Sequence, residues 1–257
     1  MRQPYKAIVE GDMDALSRMS HHEIGEVIAA THAGMTTEEF AGVVRAWLST
    51  AKHPRFDRPY GECVFQPMLE LLTFLRSNGF RTFIVSGGGI DFIRVFSEQL
   101  YGVLPAQVIG SSSKTRHELR DGAPVLVKLP DLGSVDDREG KVMNIHLHIG
   151  QRPIFAIANA DGDLAMLTYT DHAPGTHLSM LVRHDDGERE FAYDRDGTFW
   201  GKLDAGLDTA RKAGWTVVSP RSEWAAMFPA DRRAGRVRTR QRLPRRHVRP
   251  ILRSRTT

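Results

Sequence analysis

The sequence has few of the features that mark secreted, membrane or disulfide-stabilised proteins. Cys63 is the one cysteine among 257 residues, so neither an internal disulfide nor a cysteine-based zinc site can form. No run approaches the roughly 18 apolar residues of a membrane span, and the opening MRQPYKAIVEGDMDAL lacks the apolar segment typical of a signal peptide. We therefore expect a cytoplasmic protein with no membrane partner.

The amino-acid composition and its distribution along the chain predict a globular body with a basic tail. Apolar residues make up 41% of the chain, which is enough for one large or two modest domains. Residues 230–257 hold eleven of the 35 Lys and Arg residues but only one of the 31 acids, which leaves 24 basic against 30 acidic residues elsewhere. The body is thus acidic. We expect the Arg-rich tail to be disordered by itself, and no specific nucleic-acid partner.

The first part of the chain, from about residue 7 to 51, is helical in character. Apolar residues recur at spacings of three and four in EIGEVIAATHAG, and TTEEF resembles a capped helix start at Thr36. A further amphipathic run, MLELLTFLRSNG, has Pro67 near its start and stops at Asn78-Gly79. These patterns predict a small helical region followed by a longer helix.

From residue 80 onward the patterns alternate between strand and helix. We predict a hairpin turning at Asp121-Gly122, because this dipeptide favours a tight turn. The alternation predicts an α/β fold with a mostly parallel sheet, in which ligands bind beyond the carboxyl ends of the strands, here after Val85 and Ala158. The predicted strands are FRTFIVS, AQVIGSS, RPIFAIAN, HLSMLV and TVVSP, and the predicted helices are GGGIDFIRVFSEQLYG, EGKVMNIHLHIG, DLAMLTYT and LDAGLDTARKAGW.

Ser86 lies at the end of the first of these strands and precedes three glycines. A hydroxyl, unobstructed backbone N–H groups and a helix start are favourable to a phosphate group. A glycine-rich turn without a ligand is the alternative. A dinucleotide site fails on detail, because GGGIDF at residues 87–92 does not complete GxGxxG and the next strand ends without an acid for the ribose.

Three oxygen-bearing side chains, Asn159, Asp161 and Asp163, follow the apolar strand IFAIA. Oxygen ligands at the end of a strand suit Mg²⁺, which takes one or two carboxylates and leaves other positions to water and substrate phosphate. The alternative is an acidic turn that caps the following helix, with Asp163 at the N-cap position.

Lys141, in EGKVMNI, lies between these two motifs. A lysine there can neutralise a phosphate or an attacking carboxylate. Lys114 and Lys128 are candidates on equal physical grounds, and a solvated lysine is the alternative for each of them. His146 and His148 do not share a helix face, and no metal is assigned to them.

Three segments resemble, in this order along the chain, the second, third and fourth motifs of haloacid dehalogenase (HAD) hydrolases. They are FRTFIVSGGG, EGKVMNI and FAIANADGDLAML. Longer strings resemble the bacterial phosphoserine-phosphatase-like members of that superfamily. The resemblance covers about residues 7–229, and the strings are RPYGECVFQPMLELL, YGVLPAQVIGSS, GQRPIFAIANADGDLAML, EREFAYDR and GWTVV.

The resemblance implies a Rossmann-like core with a helical cap and Mg²⁺-dependent hydrolysis of a phosphomonoester, a small phosphorylated metabolite, through an aspartyl-phosphate. It implies a partial cap region over residues 1–62, a HAD-like α/β core over 63–229, and an unrelated tail over 230–257. The implied roles are phosphate binding by Ser86, the Gly87 amide and Lys141, catalytic charge pairing by Lys141, and metal binding by Asn159 and Asp163 with Asp161 beside them.

The family's first motif, DxDx[TV] after an apolar strand, supplies the nucleophile and the general acid, and the chain begins inside what resembles the cap. Asp12-Met13-Asp14 has the spacing but a helical context, and Asp194-Arg195-Asp196-Gly197-Thr198 follows the fourth motif. We therefore expect a hydrolase whose first strand and nucleophile are missing from this sequence, by truncation or by gene decay. The alternative is a non-catalytic phosphate-binding or interaction protein derived from such a phosphatase.

Overall fold

A computed structural model describes residue 19 and residues 21–195 and 202–229 of the chain. Several sequence predictions lie outside these residues. They are the helical region before His21, the Asp12-Met13-Asp14 candidate, Asp196 and the tail over residues 230–257.

The first two helices of the described chain are α1 (His21–Thr31) and α2 (Thr37–Thr50). The Thr36 side chain accepts a hydrogen bond from the Glu39 N–H, and the Glu39 carboxylate accepts one from the Thr36 N–H. This capping box confirms the predicted helix start. Two short strands, β1 (Lys52–His53) and β2 (Arg58–Pro59), pair antiparallel after α2.

The next helix, α3 (Gln66–Ser77), has its proline in the first turn and Asn78 at its C-cap, as predicted. The core alternates strand and helix after it, in the predicted order. Its elements are β3 (Ile84–Gly89), α4 (Ile90–Arg94), α5 (Ser97–Tyr101), β4 (Val108–Arg120), β5 (Ala123–Ser134), α6 (Glu139–Ile149), β6 (Phe155–Ala158), α7 (Leu164–Asp171), β7 (Leu178–Val182), α8 (Ala205–Ala213), β8 (Thr216–Val218) and α9 (Pro220–Glu223).

Two details of this order differ from the sequence prediction. The segment GGGIDFIRVFSEQLYG is not one helix: β3 continues through Gly89, and two five-residue helices, α4 and α5, follow it. The predicted strand AQVIGSS and the first arm of the predicted hairpin form one continuous strand, β4.

The hairpin turn itself is confirmed. Arg120 pairs with Ala123, and both Asp121 (φ 51°) and Gly122 (φ 79°) adopt the left-handed conformation that a tight hairpin turn requires. The long hairpin of β4 and β5 extends to the helical region, where Thr36 forms a bridge with Val127 and the Lys128 N–H donates to the Met35 carbonyl. Helices α1 and α2 pack against β5.

The described core strands form two separate three-stranded sheets, ordered β3-β4-β5 and β6-β7-β8. All pairs are parallel except β4 with β5. Strands β3 and β6 each have one partner among the described strands, and residues of both strands line a cavity of about 550 Å³. Side chains of β3, β6, α3 and α6 line this gap, among them Leu71, Leu75, Val85, Ile145, Ile149, Phe155 and Ile157.

The main apolar core lies around β7 and the helices that cover it. Ile145, Leu167, Leu181 and Leu203 are fully buried there, and Trp215 packs beside them. The mixed α/β class predicted from the sequence is confirmed. Across the described residues, every helix is too short or too polar to cross a membrane.

Candidate active site

Lys141 is the centre of a polar cluster beyond the carboxyl ends of β3 and β6. Its side chain is 5% exposed, and Nζ donates to the Val85 carbonyl of β3 at 3.0 Å. The same amine lies 3.2 Å from Asp163 Oδ1, in the loop after β6, and 3.8 Å from Asp136 Oδ2. A buried ammonium group is stable only with such partners. Lys141 is therefore not a solvated lysine, and it joins the two sheets electrostatically.

Asp136 was not singled out from the sequence, although it stands five residues before Lys141. Its side chain is fully buried, Oδ1 accepts a hydrogen bond of 2.9 Å from Asn144 Nδ2, and Oδ2 has no hydrogen-bond partner among the described residues. Burial raises the pKa of the Asp136 carboxyl above its ordinary value, and the Asn144 hydrogen bond and the Lys141 charge offset part of that rise.

Asp163 occupies the N-cap position of α7, but its side chain makes no hydrogen bond to that helix. Oδ2 instead accepts the N–H groups of Ala160 at 3.2 Å and Asn159 at 3.4 Å, while Oδ1 faces Lys141. The Asp163 side chain therefore does not cap α7, but through the Ala160 N–H it closes the 3-10 turn Asp161–Asp163 that leads into this helix. These contacts hold its carboxylate beside Lys141.

Asp161 has a different environment. Its two carboxylate oxygens accept hydrogen bonds of 2.8 to 3.3 Å from the backbone N–H groups of Asp204, Ala205 and Gly206, at the start of α8. A carboxylate at a helix N-terminus satisfies donors that have no partner within the helix. The carboxylate of Asp161 is thus engaged in capping α8 and is not brought to Lys141 and Asp163.

Asn159 follows β6 directly and is half-buried. Its Nδ2 donates to Tyr193 Oη at 2.6 Å and lies 3.3 Å from His184 Nε2. The His184 and Tyr193 rings stack at 4.6 Å, and His184 Nδ1 lies 2.8 Å from Glu190 Oε2. Burial raises the pKa of Tyr193 to about 12, against the lowering effect of the Asn159 hydrogen bond, so its hydroxyl stays protonated at neutral pH.

Ser86 lies in β3 immediately after Val85, whose carbonyl binds Lys141. Its Oγ accepts a hydrogen bond of 3.1 Å from the Gly88 N–H. The neighbouring Gly87 carbonyl accepts from Ser111 Oγ at 2.9 Å, and the same Oγ accepts the N–H of Asp136 at 2.9 Å. Ser111 thus ties the glycine-rich segment to the segment that carries Asp136.

The glycine-rich segment also needs space beside β4. A Cβ on Gly110 would lie 2.8 Å from the Gly88 carbonyl oxygen and 3.0 Å from the Ile90 nitrogen. No real Cβ approaches backbone so closely, so glycine at position 110 lets the segment pack on β4.

The two competing lysines lie elsewhere. Lys114 is exposed on β4. Lys128 is buried, forms an ion pair with Asp91, and places its amine 4.8 Å from the centre of the Phe40 ring. Lys128 lines a second cavity, of about 460 Å³, between the helical region and the core, together with Ile28, Val44, Trp47, Gly89, Phe92 and Ser111.

Asp194, the first residue of the DRDGT candidate, is paired with Arg183 at 2.7 Å, while Asp196 lies outside the described residues. In the described part of the chain, no three His, Cys, Asp or Glu side chains are grouped so that they could hold a metal ion. The residues that sequence reasoning missed are Asp136, His184, Glu190 and Tyr193. A usable signal for His184 was the polar segment RHDD directly after the predicted strand HLSMLV.

The alternating α/β fold and the charged cluster beyond two parallel strands define a Rossmann-like α/β protein. The sequence profile of the haloacid dehalogenase-like hydrolases matches residues 2–168, which is more than half of the chain. The chain belongs to this family.

Solved structures with a similar fold include two proteins of unknown function. One, from Anaerococcus prevotii DSM 20548, has a TM-score of 0.51 at 21% identity, and the match covers 75% of this chain and 52% of that protein. The other, from Bordetella pertussis Tohama I, has a TM-score of 0.51 at 15% identity and coverages of 84% and 83%. The chain thus spans about half the length of the first of these proteins.

A HAD family hydrolase from Salmonella enterica serovar Typhi also matches, with a TM-score of 0.40, 14% identity and coverages of 74% and 56%. No protein with a curated functional description matches the sequence.

Proposed function

We propose that this chain carries the phosphate-binding and metal-binding part of a Mg²⁺-dependent phosphomonoester hydrolase of the phosphoserine-phosphatase-like kind. The observation that carries the proposal is the position of Lys141. Its buried amine contacts Val85, directly before Ser86, and Asp163, in the loop after β6. One cation therefore links the proposed phosphate segment with the proposed metal segment.

The donor atoms around Asn159 and Asp163 fit Mg²⁺ in type. Mg²⁺ prefers oxygen ligands and takes only one or two carboxylates, with water and substrate phosphate at the other positions. Asp163 supplies a carboxylate, and Asn159 supplies a neutral amide oxygen because both of its contacts to Tyr193 and His184 are made by its nitrogen. We leave Asp161 out of the proposed metal ligands, because its carboxylate oxygens accept hydrogen bonds from the start of α8. When bound, Mg²⁺ would neutralise negative charge on the substrate phosphate.

Ser86 and the Gly87 N–H are the proposed phosphate ligands, with Lys141 balancing the phosphate charge. Ser86 Oγ already accepts a hydrogen bond from Gly88, so its own proton is free to be donated to a phosphate oxygen. Ser111 positions the segment through the Gly87 carbonyl. The organic part of a phosphorylated metabolite would occupy the cavity between α2 and the core, which has apolar walls and lies against Gly89.

Binding alone does not hydrolyse a phosphate ester, because the covalent step needs a carboxylate nucleophile and the leaving group needs an acid. We propose that in the catalytically competent protein a strand ending in DxDx[TV] fills the gap between β3 and β6. Two observations support this position: β3 and β6 each have one partner among the described strands, and residues of both line a largely apolar cavity of about 550 Å³. A strand there would end beside Lys141, at the same edge of the sheet as Ser86 and Asp163.

A titration of the full chain with inorganic phosphate, with and without Mg²⁺, tests the binding part of the proposal. We expect binding that strengthens with Mg²⁺ and weakens about tenfold or more in Ser86→Ala, because a hydrogen bond to a charged group contributes about 1.5–3 kcal/mol. Ser77→Ala, which alters an exposed serine at the end of α3, serves as the matched control. Equal phosphate affinity of the two variants and the wild type would contradict the site.

A further inference from the structure

We propose that the cavity of about 460 Å³ between the helical region and the core accepts an uncharged organic part that carries a hydroxyl group, and that the buried pair of Lys128 and Asp91 selects it. This inference rests on the proposed function, in which the substrate phosphate lies at Ser86. It names the substrate class as phosphate monoesters of uncharged diols with an apolar body.

The cavity adjoins the proposed phosphate segment. Gly89, at the end of β3, lines the cavity and stands three residues after Ser86. Ser111 of β4 lines it as well, and its Oγ donates a hydrogen bond of 2.9 Å to the Gly87 carbonyl. A substrate whose phosphate is bound at Ser86 and Gly87 therefore has this cavity beside it for its organic part.

The wall of the cavity on the side of the helical region is apolar and half exposed. Ile28 of α1 and Val43 and Trp47 of α2 line it, and they are 51%, 48% and 44% exposed. Phe92 also lines the cavity, with its ring centre 6.0 Å from that of Trp47. A ligand with an apolar body would remove this surface from water, which is favourable. The organic part of the substrate should therefore have an apolar body.

Lys128 of β5 and Asp91 of α4 supply an ion pair to the same cavity. The Lys128 side chain is 6% exposed, and its amine lies 4.8 Å from the centre of the Phe40 ring. The Lys128 N–H donates to the Met35 carbonyl, and the Lys128 carbonyl accepts from the Gly34 N–H, each at 2.9 Å. These backbone contacts hold the lysine at a defined place in the cavity wall.

The ion pair disfavours a charged organic part. Lys128 and Asp91 balance each other, and they are the charged side chains among the described residues that line the cavity, with His32 as the one further titratable group. A ligand carboxylate would be attracted by Lys128 but repelled by Asp91, and a ligand ammonium group would meet the reverse. Any ligand charge would also lose its hydration against the apolar wall, and a balanced pair compensates little of that cost.

A hydroxyl group suits the pair because it both donates and accepts hydrogen bonds. One ligand hydroxyl can donate to the Asp91 carboxylate and accept from the Lys128 ammonium group, which has three N–H donors. It loses less hydration than a charged group does on entering the cavity. The pair therefore selects an uncharged hydroxyl, and the apolar wall binds the rest of the organic part.

Calorimetric titration of the full chain with Mg²⁺ measures its affinity for inorganic phosphate and for a series of aryl phosphates. Phenyl phosphate is the reference, and the other members carry at the para position a hydroxymethyl group, a carboxylate, an aminomethyl group or, in O-phosphotyrosine, an amino-acid group. We expect the hydroxymethyl member to bind about tenfold more tightly than phenyl phosphate, because it adds hydrogen bonds to charged groups. The three charged members should bind no more tightly than phenyl phosphate. Equal affinity of the hydroxymethyl member and phenyl phosphate, or tightest binding by a charged member, would overturn the proposal.

Two variants test the pair and the wall separately. Asp91→Asn leaves the Lys128 charge without its counter-ion and should make the carboxylate member the tightest ligand. Asp131→Asn, the same change at an exposed position of β5, should keep the hydroxymethyl member the tightest. The order found in the wild type, if it persists in Asp91→Asn, would refute selection by the pair.

The variant Trp47→Ala changes a half-exposed side chain and so tests the wall even where Asp91→Asn fails to fold. It should weaken the binding of phenyl phosphate relative to inorganic phosphate by about three- to tenfold, because apolar contact area is lost. Phe74→Ala removes a ring that is 64% exposed on α3 and should leave this ratio unchanged. Equal ratios in the two variants would contradict the apolar wall.

The outcomes separate this inference from the proposed function. A wild-type chain that binds inorganic phosphate but does not prefer the hydroxymethyl member would refute the inference and leave the proposed function standing. A wild-type chain that binds neither inorganic phosphate nor any aryl phosphate would refute the proposed function, and with it this inference.

Discussion

At the residue scale, Lys141 has a structural role beside the chemical role that we propose for it. It is buried between two aspartates and a backbone carbonyl, and each of these partners belongs to a different segment. A buried ion pair gains little over an apolar replacement of the whole pair, but removal of one partner leaves an uncompensated buried charge. Variants at this position must therefore be judged for stability before activity.

The variant Lys141→Met should lower the free energy of unfolding by about 3 kcal/mol, because Asp136 and Asp163 lose their shared cation. Urea denaturation of the full chain measures this change. Lys114→Met replaces an exposed lysine on β4 and should change the stability by less than about 0.5 kcal/mol. If both variants lose the same amount, the cluster around Lys141 does not contribute to folding.

Asp136 should produce a distinct pH dependence of stability. Its pKa is raised in the folded protein, so the folded state binds this proton more tightly than the unfolded state. The stability that this proton contributes is fully present below the ordinary pKa of an aspartate, 3.8, and is lost as the pH rises through the raised value.

The variant Asp136→Asn, which keeps the acceptor for Asn144, removes this titration. Relative to the wild type it should therefore gain stability as the pH is raised from 4 to 7. Thermal unfolding at a series of pH values checks the sign. A constant difference between the two proteins across that range would show that the carboxyl is not perturbed by burial.

Some residues of the candidate site could be predicted and others could not. Ser86, Asn159 and Asp163 stand beside predicted strand ends, and Lys141 stands in a short motif at the start of a predicted helix, so the sequence itself singles them out. Asp136 and the group formed by His184, Glu190 and Tyr193 come together through contacts across the fold, and several are single polar residues in unremarkable local contexts. The sequence indicated them only in that Asp136 follows the β5 strand and His184 follows the β7 strand.

At the scale of secondary-structure elements, Asp161 shows how one carboxylate can join two segments. It lies in the loop after β6 and accepts four hydrogen bonds from the first turn of α8, about forty residues further along the chain. The two aspartates of this acidic turn therefore have different partners. Asp163 contacts Lys141, while Asp161 caps α8.

The variant Asp161→Ala should lower the free energy of unfolding by about 1–2 kcal/mol, as expected for the loss of a helix cap. It should change the Mg²⁺ affinity less than Asn159→Ala does. Denaturation and Mg²⁺ titration of the two variants provide the comparison. A larger loss of Mg²⁺ affinity in Asp161→Ala would place its carboxylate at the metal and not at α8.

The order of the elements was predictable because it depends on local patterns. Apolar periodicity located α6 and β6, the Thr36 capping box located α2, and the Asp121-Gly122 turn located the hairpin. The prediction that a helix begins at the glycine run after Val85 is wrong. Three glycines permit a helix start, but here their backbone continues the strand beside β4, where Gly110 leaves room for it.

At the scale of the whole molecule, the main feature is the division of the described core strands, β3 to β8, into two sheets. Strands β3 and β6 face one cavity, and the Lys141 amine satisfies the Val85 carbonyl in place of a neighbouring strand. That the first strand is missing from this sequence was predicted through the family resemblance alone, and it stays a prediction. The cavity lined by apolar side chains depends on the packing of distant segments, so the sequence did not predict it.

We propose that this chain holds the binding half of a phosphatase site and that the gap between β3 and β6 is the place of its nucleophile. The direct measurement is hydrolysis of a generic phosphomonoester, such as p-nitrophenyl phosphate, with Mg²⁺. This chain of 257 residues should bind phosphate without turnover, and a chain extended by an apolar strand ending in DxDxT should hydrolyse the substrate. The same extension with asparagine in place of the first aspartate should be inactive. Hydrolysis by the unextended chain that Asp194→Asn abolishes, with the fold intact, would contradict the account and place the nucleophile in the DRDGT segment.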